Sequence, residues 1–264
     1  MKEKNIMSMK NILRISAGIV LTVALTACRS HMTITSVGYE RLVVDNRYDA
    51  QPDQEAVSFL APYKHQVDSV MGPIVGKVAH NMAVAQPESD LSNLLSDILI
   101  WGSKNYGEKP VLGIYNMGGI RSDLTRGEVT YGDVLAIAPF ENKICFITLN
   151  GSDLLELFGQ IAARGGEGVS HGTELVISKD GKLLSAKLHG KAIDPQADYR
   201  VATIDYLAQG NDGFGAFKKG KDLVAPKEDS NNSRVIIMNY FKEKMTKGEE
   251  VSAKVEGRIV INEE

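Results

Sequence analysis

The sequence predicts an α+β fold for this chain of 264 residues, and three observations carry that prediction. Helical and extended patterns alternate irregularly rather than in regular βαβ order. Segments rich in β-branched residues between 173 and 204, punctuated by Lys179-Asp180-Gly181, read as an antiparallel meander. No self-similarity recurs at a spacing of roughly 20–50 residues, so solenoids and propellers are set aside.

The first residues stand outside the fold. Lys2, Lys4, Lys10 and Arg14 precede an apolar segment at 15–27 that is too short to span a bilayer comfortably as a permanent helix. It ends in Leu25-Thr26-Ala27-Cys28, and small residues before such a cysteine resemble a bacterial lipobox. The resemblance implies that residues 1–27 are a lipoprotein signal peptide, that Cys28 is lipidated, and that the chain is exported on a membrane anchor. Arg29 follows Cys28, and the expectation is an outer-membrane anchor facing the periplasm. Residues 1–27 carry four basic groups and one acid, so their removal takes the formal charge from −3 to −6. A mildly acidic domain argues against a non-specific nucleic-acid binder, which requires a basic stripe. Of the two cysteines only Cys145 then keeps a free thiol, and its setting, Ile144-Cys145-Phe146-Ile147, reads as a small buried hydrophobe.

Residues 28–50 read as a tether with a first strand, and 51–264 as one domain. From Pro52 onward Val57, Leu60, Val67, Val70, Met71 and Ile74 recur at helical spacing, although Pro62 interrupts the run. Residues 74–79 form a strand with a glycine break. Asp90 caps a helix with Leu91, Leu94, Leu95, Ile98 and Trp101 on one face. Residues 111–115 make a buried strand. Thr130 caps a short helix with Asp133 three residues on, and Pro139-Phe140 closes it. A strand at 143–149, the turn Asn150-Gly151 and a helix capped by Ser152 follow; Gly165-Gly166 ends that helix. After the meander, Ser233 opens a last helix, and residues 257–262 close as a strand.

Four stretches are richer in glycine and polar groups than a core requires: 116–121, 139–142, 166–172 and 206–214. All fall at element ends, where binding residues concentrate. The first, Asn116-Met117-Gly118-Gly119-Ile120-Arg121, leaves a buried strand through a glycine pair and ends in a cation. Its plain reading is a Gly-Gly turn with a solvated arginine; its sharper one is an anion grip, with Gly118 and Gly119 admitting the ligand. Together the stretches offer Arg121, two aromatics (Phe140 and Tyr206), two amides (Asn116 and Asn142) and the carboxylate of Asp212. That set suits a flat heteroaromatic ring between aromatic faces, with a sugar held by carboxylate and amide.

These residues resemble a known family. The motif at 116–121 is joined by Ala138-Pro139-Phe140-Glu141-Asn142, Leu149-Asn150-Gly151-Ser152-Asp153-Leu154, and Tyr206-Leu207-Ala208-Gln209-Gly210-Asn211-Asp212-Gly213-Phe214, with Val255-Glu256-Gly257-Arg258-Ile259 trailing. From about 74 to 261 the chain is similar to the C-terminal, substrate-recognition domain of 5′-nucleotidases and UDP-sugar hydrolases. The resemblance implies a four-layer α/β/β/α sandwich. It implies that Arg121 helps bind phosphate beside Asn116, that Phe140 and Tyr206 stack on the base, and that Asp212 holds ribose hydroxyls. Asn142 and the stretch Val169-Ser170-His171-Gly172, including Gly172, are placed along the base edge.

Two departures qualify the match. The family's further phosphate-binding arginines precede a helix that here begins Glu88-Ser89-Asp90-Leu91, with no arginine in 84–94. Glu88 and Asp90 are expected to oppose an anion instead, which implies weaker phosphate affinity or a less charged ligand. The family's complete enzymes also carry a two-metal phosphatase domain. The histidines here, His31, His65, His80, His171 and His189, are scattered singly, and such chemistry needs several ligands converging. His65 and His80 read as surface or core-edge residues, Lys218-Lys219-Gly220-Lys221 as a solvated loop, and His171 as the one histidine facing the base pocket. No residue of this chain is assigned a catalytic role, a metal or a cofactor; divalent metals are expected in a separate metallophosphatase chain. The expected ligand is a nucleotide or nucleoside. A stand-alone nucleotide- or nucleoside-binding lipoprotein and a ligand-free interaction module are the alternatives.

Overall fold

The computed structural model describes residues 34–262, together with Met9, Arg14 and Ser16. The remainder of the signal segment, the cleavage site, Cys28 and His31 lie outside the described residues. The chain divides into two compact units, one through Gln54 and one from Glu55 onward. In the first, residues 34–44 carry no regular structure, and Asp45 caps a 3-10 turn, Asn46–Tyr48, by accepting from the Arg47 N–H at 3.0 Å. The strand expected before residue 50 is absent from the described residues. Those at 34–44 are exposed, so their backbone groups are satisfied by water rather than by a strand partner.

α1 (Gln54–Met71), which belongs to the second unit from Glu55 onward, continues through Pro62 with none of its residues buried. β1 (Ile74–Val78) pairs antiparallel with β3 (Gly127–Thr130), and the register slips between Ile74 and Gly76. Gly76 is needed there because a Cβ would meet the Phe241 ring at 2.8 Å.

A five-stranded sheet has the order β10 (Lys221–Val224), β4 (Ile144–Asn150), β9 (Asp198–Ile204), β2 (Leu112–Tyr115) and β5 (Gly168–Val169). A four-stranded sheet runs β11 (Ile259–Asn262), β6 (Thr173–Ser178), β7 (Leu183–Leu188) and β8 (Lys191–Ala192). The meander is therefore shorter than the sequence suggests. β6, β7 and β8 pair antiparallel in succession, but β9 leaves them for the other sheet. There it runs parallel to β2 and antiparallel to β4, with Ile144 opposite Ile204 and Asn150 opposite Asp198. The reason is burial: the residues 201–204 are buried on both faces, which only an inner strand provides.

Helices α2 (Asp90–Gly102) and α6 (Ser233–Thr246) pack together, α2 against β2 and β5, and α6 against β1. α4 (Gly151–Ala163) touches both larger sheets, through β4 and β9 on one and β6 and β7 on the other. α3 (Tyr131–Ile137) and α5 (Asp205–Ala208) are short connectors. One continuous core joins them from Val75 to Ile259. The class is α+β, as the irregular alternation requires.

The caps refine the sequence reading. Thr130 and Asp133 form the expected capping box, with Asp133 Oδ2 accepting from the Thr130 N–H at 2.7 Å. The cap of α2 is Ser89, not Asp90: its hydroxyl accepts from the Ser92 N–H at 3.1 Å, while Asp90 enters the first turn. Asn150, not Ser152, caps α4 by accepting from the Asp153 N–H at 2.8 Å. Cys145 is buried on β4, and desolvation pushes its thiol up to about 12. Among the described residues no helix is long and apolar enough to cross a membrane.

Candidate functional site

Strand direction gathers the site. β2 and β9 are parallel, so their C-terminal ends share one sheet edge, and β4, antiparallel to β9, begins at that same edge. Three adjacent strands therefore deliver three loops to one place: 116–121 leaving β2, 139–142 entering β4, and 206–214 leaving β9. The end of α4 adds a fourth. They enclose a cleft of about 230 Å³ lined by Asn116, Gly118, Gly119, Phe140, Asn142, Arg164, Tyr206 and Asp212.

Asp212 is the most tightly specified member. Its backbone lies in the left-handed region (φ +56°), between Gly210 and Gly213, which are also left-handed. Its carboxylate accepts from the Tyr206 hydroxyl at 2.9 Å and from the Asn116 side-chain amide at 2.8 Å. A carboxylate only accepts when ionised, so this bond also fixes which way the Asn116 amide points. Each oxygen accepts one of these bonds and keeps a further lone pair. Donating to Asp212 raises the Tyr206 hydroxyl above its ordinary pKa, because the carboxylate stabilises the protonated form.

Asn116 itself is buried, and its Oδ1 has no hydrogen-bond partner. The turn after it, Met117–Gly119, is a single 3-10 turn in which the Gly119 N–H donates to Asn116 O at 3.0 Å. A Cβ at Gly119 would lie 2.6 Å from Asn116 Oδ1, so any larger residue would have to displace that side chain. The Met117 N–H donates to Glu167 Oε2 at 2.6 Å, which ties the turn to a buried carboxylate. Burial is the largest influence on Glu167 and raises its pKa; the Met117 N–H and Arg164 partly offset it.

Arg164 is the cleft-lining side chain that sequence reasoning missed. It donates from Nε to Glu167 Oε1 at 2.8 Å and from Nη1 to Asp212 O at 3.0 Å, and its guanidinium stands over the Phe214 ring. The sequence signal was an arginine directly before Gly165-Gly166, the same mixture of cation and glycine pair as in the first motif. Arg164 is the C-cap residue of α4.

The structure brings Asn116, Gly118, Gly119, Phe140, Asn142, Tyr206 and Asp212 around this one cleft. Arg121 and Gly172 are not in its lining. Arg121 is exposed, and its Nη1 reaches back to Gly118 O at 3.3 Å while its N–H donates to Ile137 O. Gly172 and His171 line a separate open cavity of about 600 Å³, with Glu174, His189 and Glu256. The expectation that 169–172 flanks the same pocket is thus corrected, and the cause is strand direction. β5 runs antiparallel to β2, with Gly168 opposite Tyr115 and Val169 opposite Ile114, and the Ser170 N–H reaches Gly113 O. Each further residue moves toward the start of β2, away from Asn116. His171 there faces Glu256 at 2.9 Å.

The acids expected to oppose an anion also turn elsewhere. Glu88 is buried and accepts from Asn93 Nδ2 at 2.6 Å and from the N–H groups of Glu256 and Arg258, both at 2.7 Å. Asp90 accepts from the Ala83 N–H at 3.1 Å. Both fasten the C-terminal segment or the loop before α2, and neither lines the cleft. Among the described residues no three His, Cys, Asp or Glu side chains converge as a metal site would require.

Residues 74–219 match the family described as "5′-nucleotidase, C-terminal domain". A cell wall protein of Listeria monocytogenes is 25% identical over 246 residues, covering 81% of this chain and 30% of its own length. The trifunctional nucleotide phosphoesterase YfkN of Bacillus subtilis is 28% identical over 241 residues, covering 83% of this chain and 16% of its own. Among solved structures, the 5′-nucleotidase precursor of Thermus thermophilus superposes with a TM-score of 0.68 at 25% identity, over 82% of this chain and 45% of that one. The chain thus spans under half the length of each of these relatives. With more than half of its residues inside the match, and with the cleft built from the motifs of that region, the chain belongs to the 5′-nucleotidase C-terminal domain family.

Proposed function

We propose that this chain is the nucleotide-recognition part of a 5′-nucleotidase-type phosphohydrolase, in which a metallophosphatase domain on a separate chain performs the hydrolysis. The observation that carries the reading is Asp212. Its carboxylate is positioned by Tyr206 and Asn116 at the floor of a cleft with an exposed aromatic, Phe140, at its rim. Carboxylate lone pairs suit adjacent sugar hydroxyls, and half-exposed aromatic faces suit a nucleobase. Among the described residues no three His, Cys, Asp or Glu side chains converge as a metal site would require. On this reading the divalent ions are carried by the partner chain. Export and a lipid anchor on Cys28 are part of the same proposal; Cys28→Ala would then release the chain from the membrane fraction.

Calorimetric titration with adenosine monophosphate tests it. Saturable binding is expected, weakened at least tenfold in Phe140→Ala and in Asp212→Ala. The chain alone releases no phosphate with added divalent metal, and release appears on mixing with its partner. Robust hydrolysis by the isolated chain would refute the division of labour.

A second reading has one specific observation behind it. The guanidinium in the cleft, Arg164, is already engaged by Glu167, and Arg121 is not among the lining residues. A cleft with so little free positive charge favours a neutral nucleoside, as a stand-alone binding lipoprotein would. Adenosine binding at least as tightly as its monophosphate would favour this reading.

A further inference from the structure

Glu167 joins two of the loops that build the cleft. Its Oε2 accepts from the Met117 N–H at 2.6 Å, and its Oε1 accepts from Arg164 Nε at 2.8 Å. Arg164 Nη1 in turn donates to Asp212 O at 3.0 Å. The chain Met117–Glu167–Arg164–Asp212 therefore runs from the turn leaving β2 to the loop leaving β9. It is a second tie between those loops, beside the direct bond from Asn116 Nδ2 to Asp212 Oδ2. One end is the turn that carries Gly118 and Gly119 into the cleft; the other is the left-handed backbone of Asp212. That backbone region is uncommon outside glycine, and a bond to the residue's own carbonyl restrains it there.

The carboxylate sits where the fold alone does not favour it. Glu167 is 2% exposed, and burial is the largest influence on it and raises its pKa, so folding favours the neutral form. An uncharged side chain would serve stability as well or better. The two bonds, however, need the ionised form. Each oxygen has one donor, and protonation turns one oxygen into a hydroxyl, so either Met117 or Arg164 loses its acceptor. The groups that face Glu167 are Arg164 from the end of α4, Asp212 from the loop after β9, and the Met117 N–H from the turn after β2. The loop before α2 brings the uncharged Gln86, whose Nε2 donates to the backbone carbonyl of Arg164 at 2.7 Å.

We propose that Glu167 is a positioning residue for the ligand: through Met117 and Arg164 it holds the 116–121 turn and Asp212 in the arrangement that receives the sugar. The inference rests on the proposed function and adds its regulation. Affinity is full where Glu167 is ionised and falls as pH drops through its raised folded value. Arg164 stays charged throughout, so the change originates at the carboxyl group.

The test titrates the full chain with adenosine, which carries no phosphate to titrate in the same range. Calorimetry at neutrality and at pH 4.5, with folding checked by circular dichroism, is expected to show the parent's affinity falling about threefold or more. Glu167→Gln puts a donor where an acceptor is needed, so its affinity should be lowered by about threefold or more already at neutrality and change little with pH. An equal slope in parent and variant, or parent affinity retained in the variant at neutrality, overturns the proposal. Amide signals in nuclear magnetic resonance supply a ligand-free arm that does not need Glu167→Gln to fold. The Met117 N–H and the Gly213 N–H, which shares its peptide group with Asp212 O, should shift with one common midpoint as pH falls. In Arg164→Lys, which keeps the charge but loses the fork, Met117 should keep that shift and Gly213 lose it. A Gly213 signal that does not move in the parent, or moves equally in Arg164→Lys, overturns the proposal. A parent that binds no adenosine contradicts the recognition reading instead, and the two amides still decide whether Glu167 holds the loops together.

Discussion

Asp212 combines a left-handed backbone with a carboxylate held from two sides, and the two properties can be separated experimentally. Asparagine tolerates the same backbone region, so Asp212→Asn keeps the turn while removing the charge. Nucleotide affinity is expected to fall at least tenfold, about 1.4 kcal/mol, with little change in melting temperature. Glu167 gives a different signature. Burial raises its pKa, so the folded chain holds this proton to higher pH than the unfolded chain does. The contribution to stability is therefore complete below the unfolded carboxylate pKa of about 4.5 and is lost as pH rises through the folded value. Glu167→Gln should flatten the fall in stability between pH 4.5 and neutrality, read as urea midpoints at both ends. An unchanged slope would show that Glu167 does not govern it. Arg164 and Glu167 were not legible in advance because their meaning comes from a contact: one reads as a helix end, the other as a loop acid. Phe140, Tyr206 and Asp212 were legible because each sits in a motif whose glycines and prolines mark a loop.

At the scale of elements, sequence legibility followed burial and length. α2 and β2 announce themselves through apolar faces that are buried in the fold, and Thr130 with Asp133 through a reciprocal cap. The short strands β3, β5, β8 and β10 carry too few residues to show a period; they exist because a neighbour supplies backbone partners. The departure of β9 from the meander could not be read because pairing partners are a property of the sheet, not of the strand. The same limit misplaced Gly172, whose position depends on β5 running antiparallel to β2. Close packing at α4 makes a testable case. A Cβ on Gly151 would lie well inside contact distance of Asp194 O, so Gly151→Ala must displace backbone. A loss of about 1–3 kcal/mol is expected from chemical denaturation. Ser89→Ala should cost about 1 kcal/mol by removing the α2 cap. Values near zero for both would mean that these helix starts are not under the constraint described.

At the scale of the molecule, the chain belongs to a C-terminal-domain family, and the relatives compared extend well beyond the part it matches. One sheet edge collects the cleft. The central claim is recognition without cleavage. Calorimetric titration of the purified chain with adenosine monophosphate tests it most directly. The account predicts saturable one-to-one heat that is lost in Asp212→Ala; absence of heat in the parent chain, or equal heat in the variant, would contradict it.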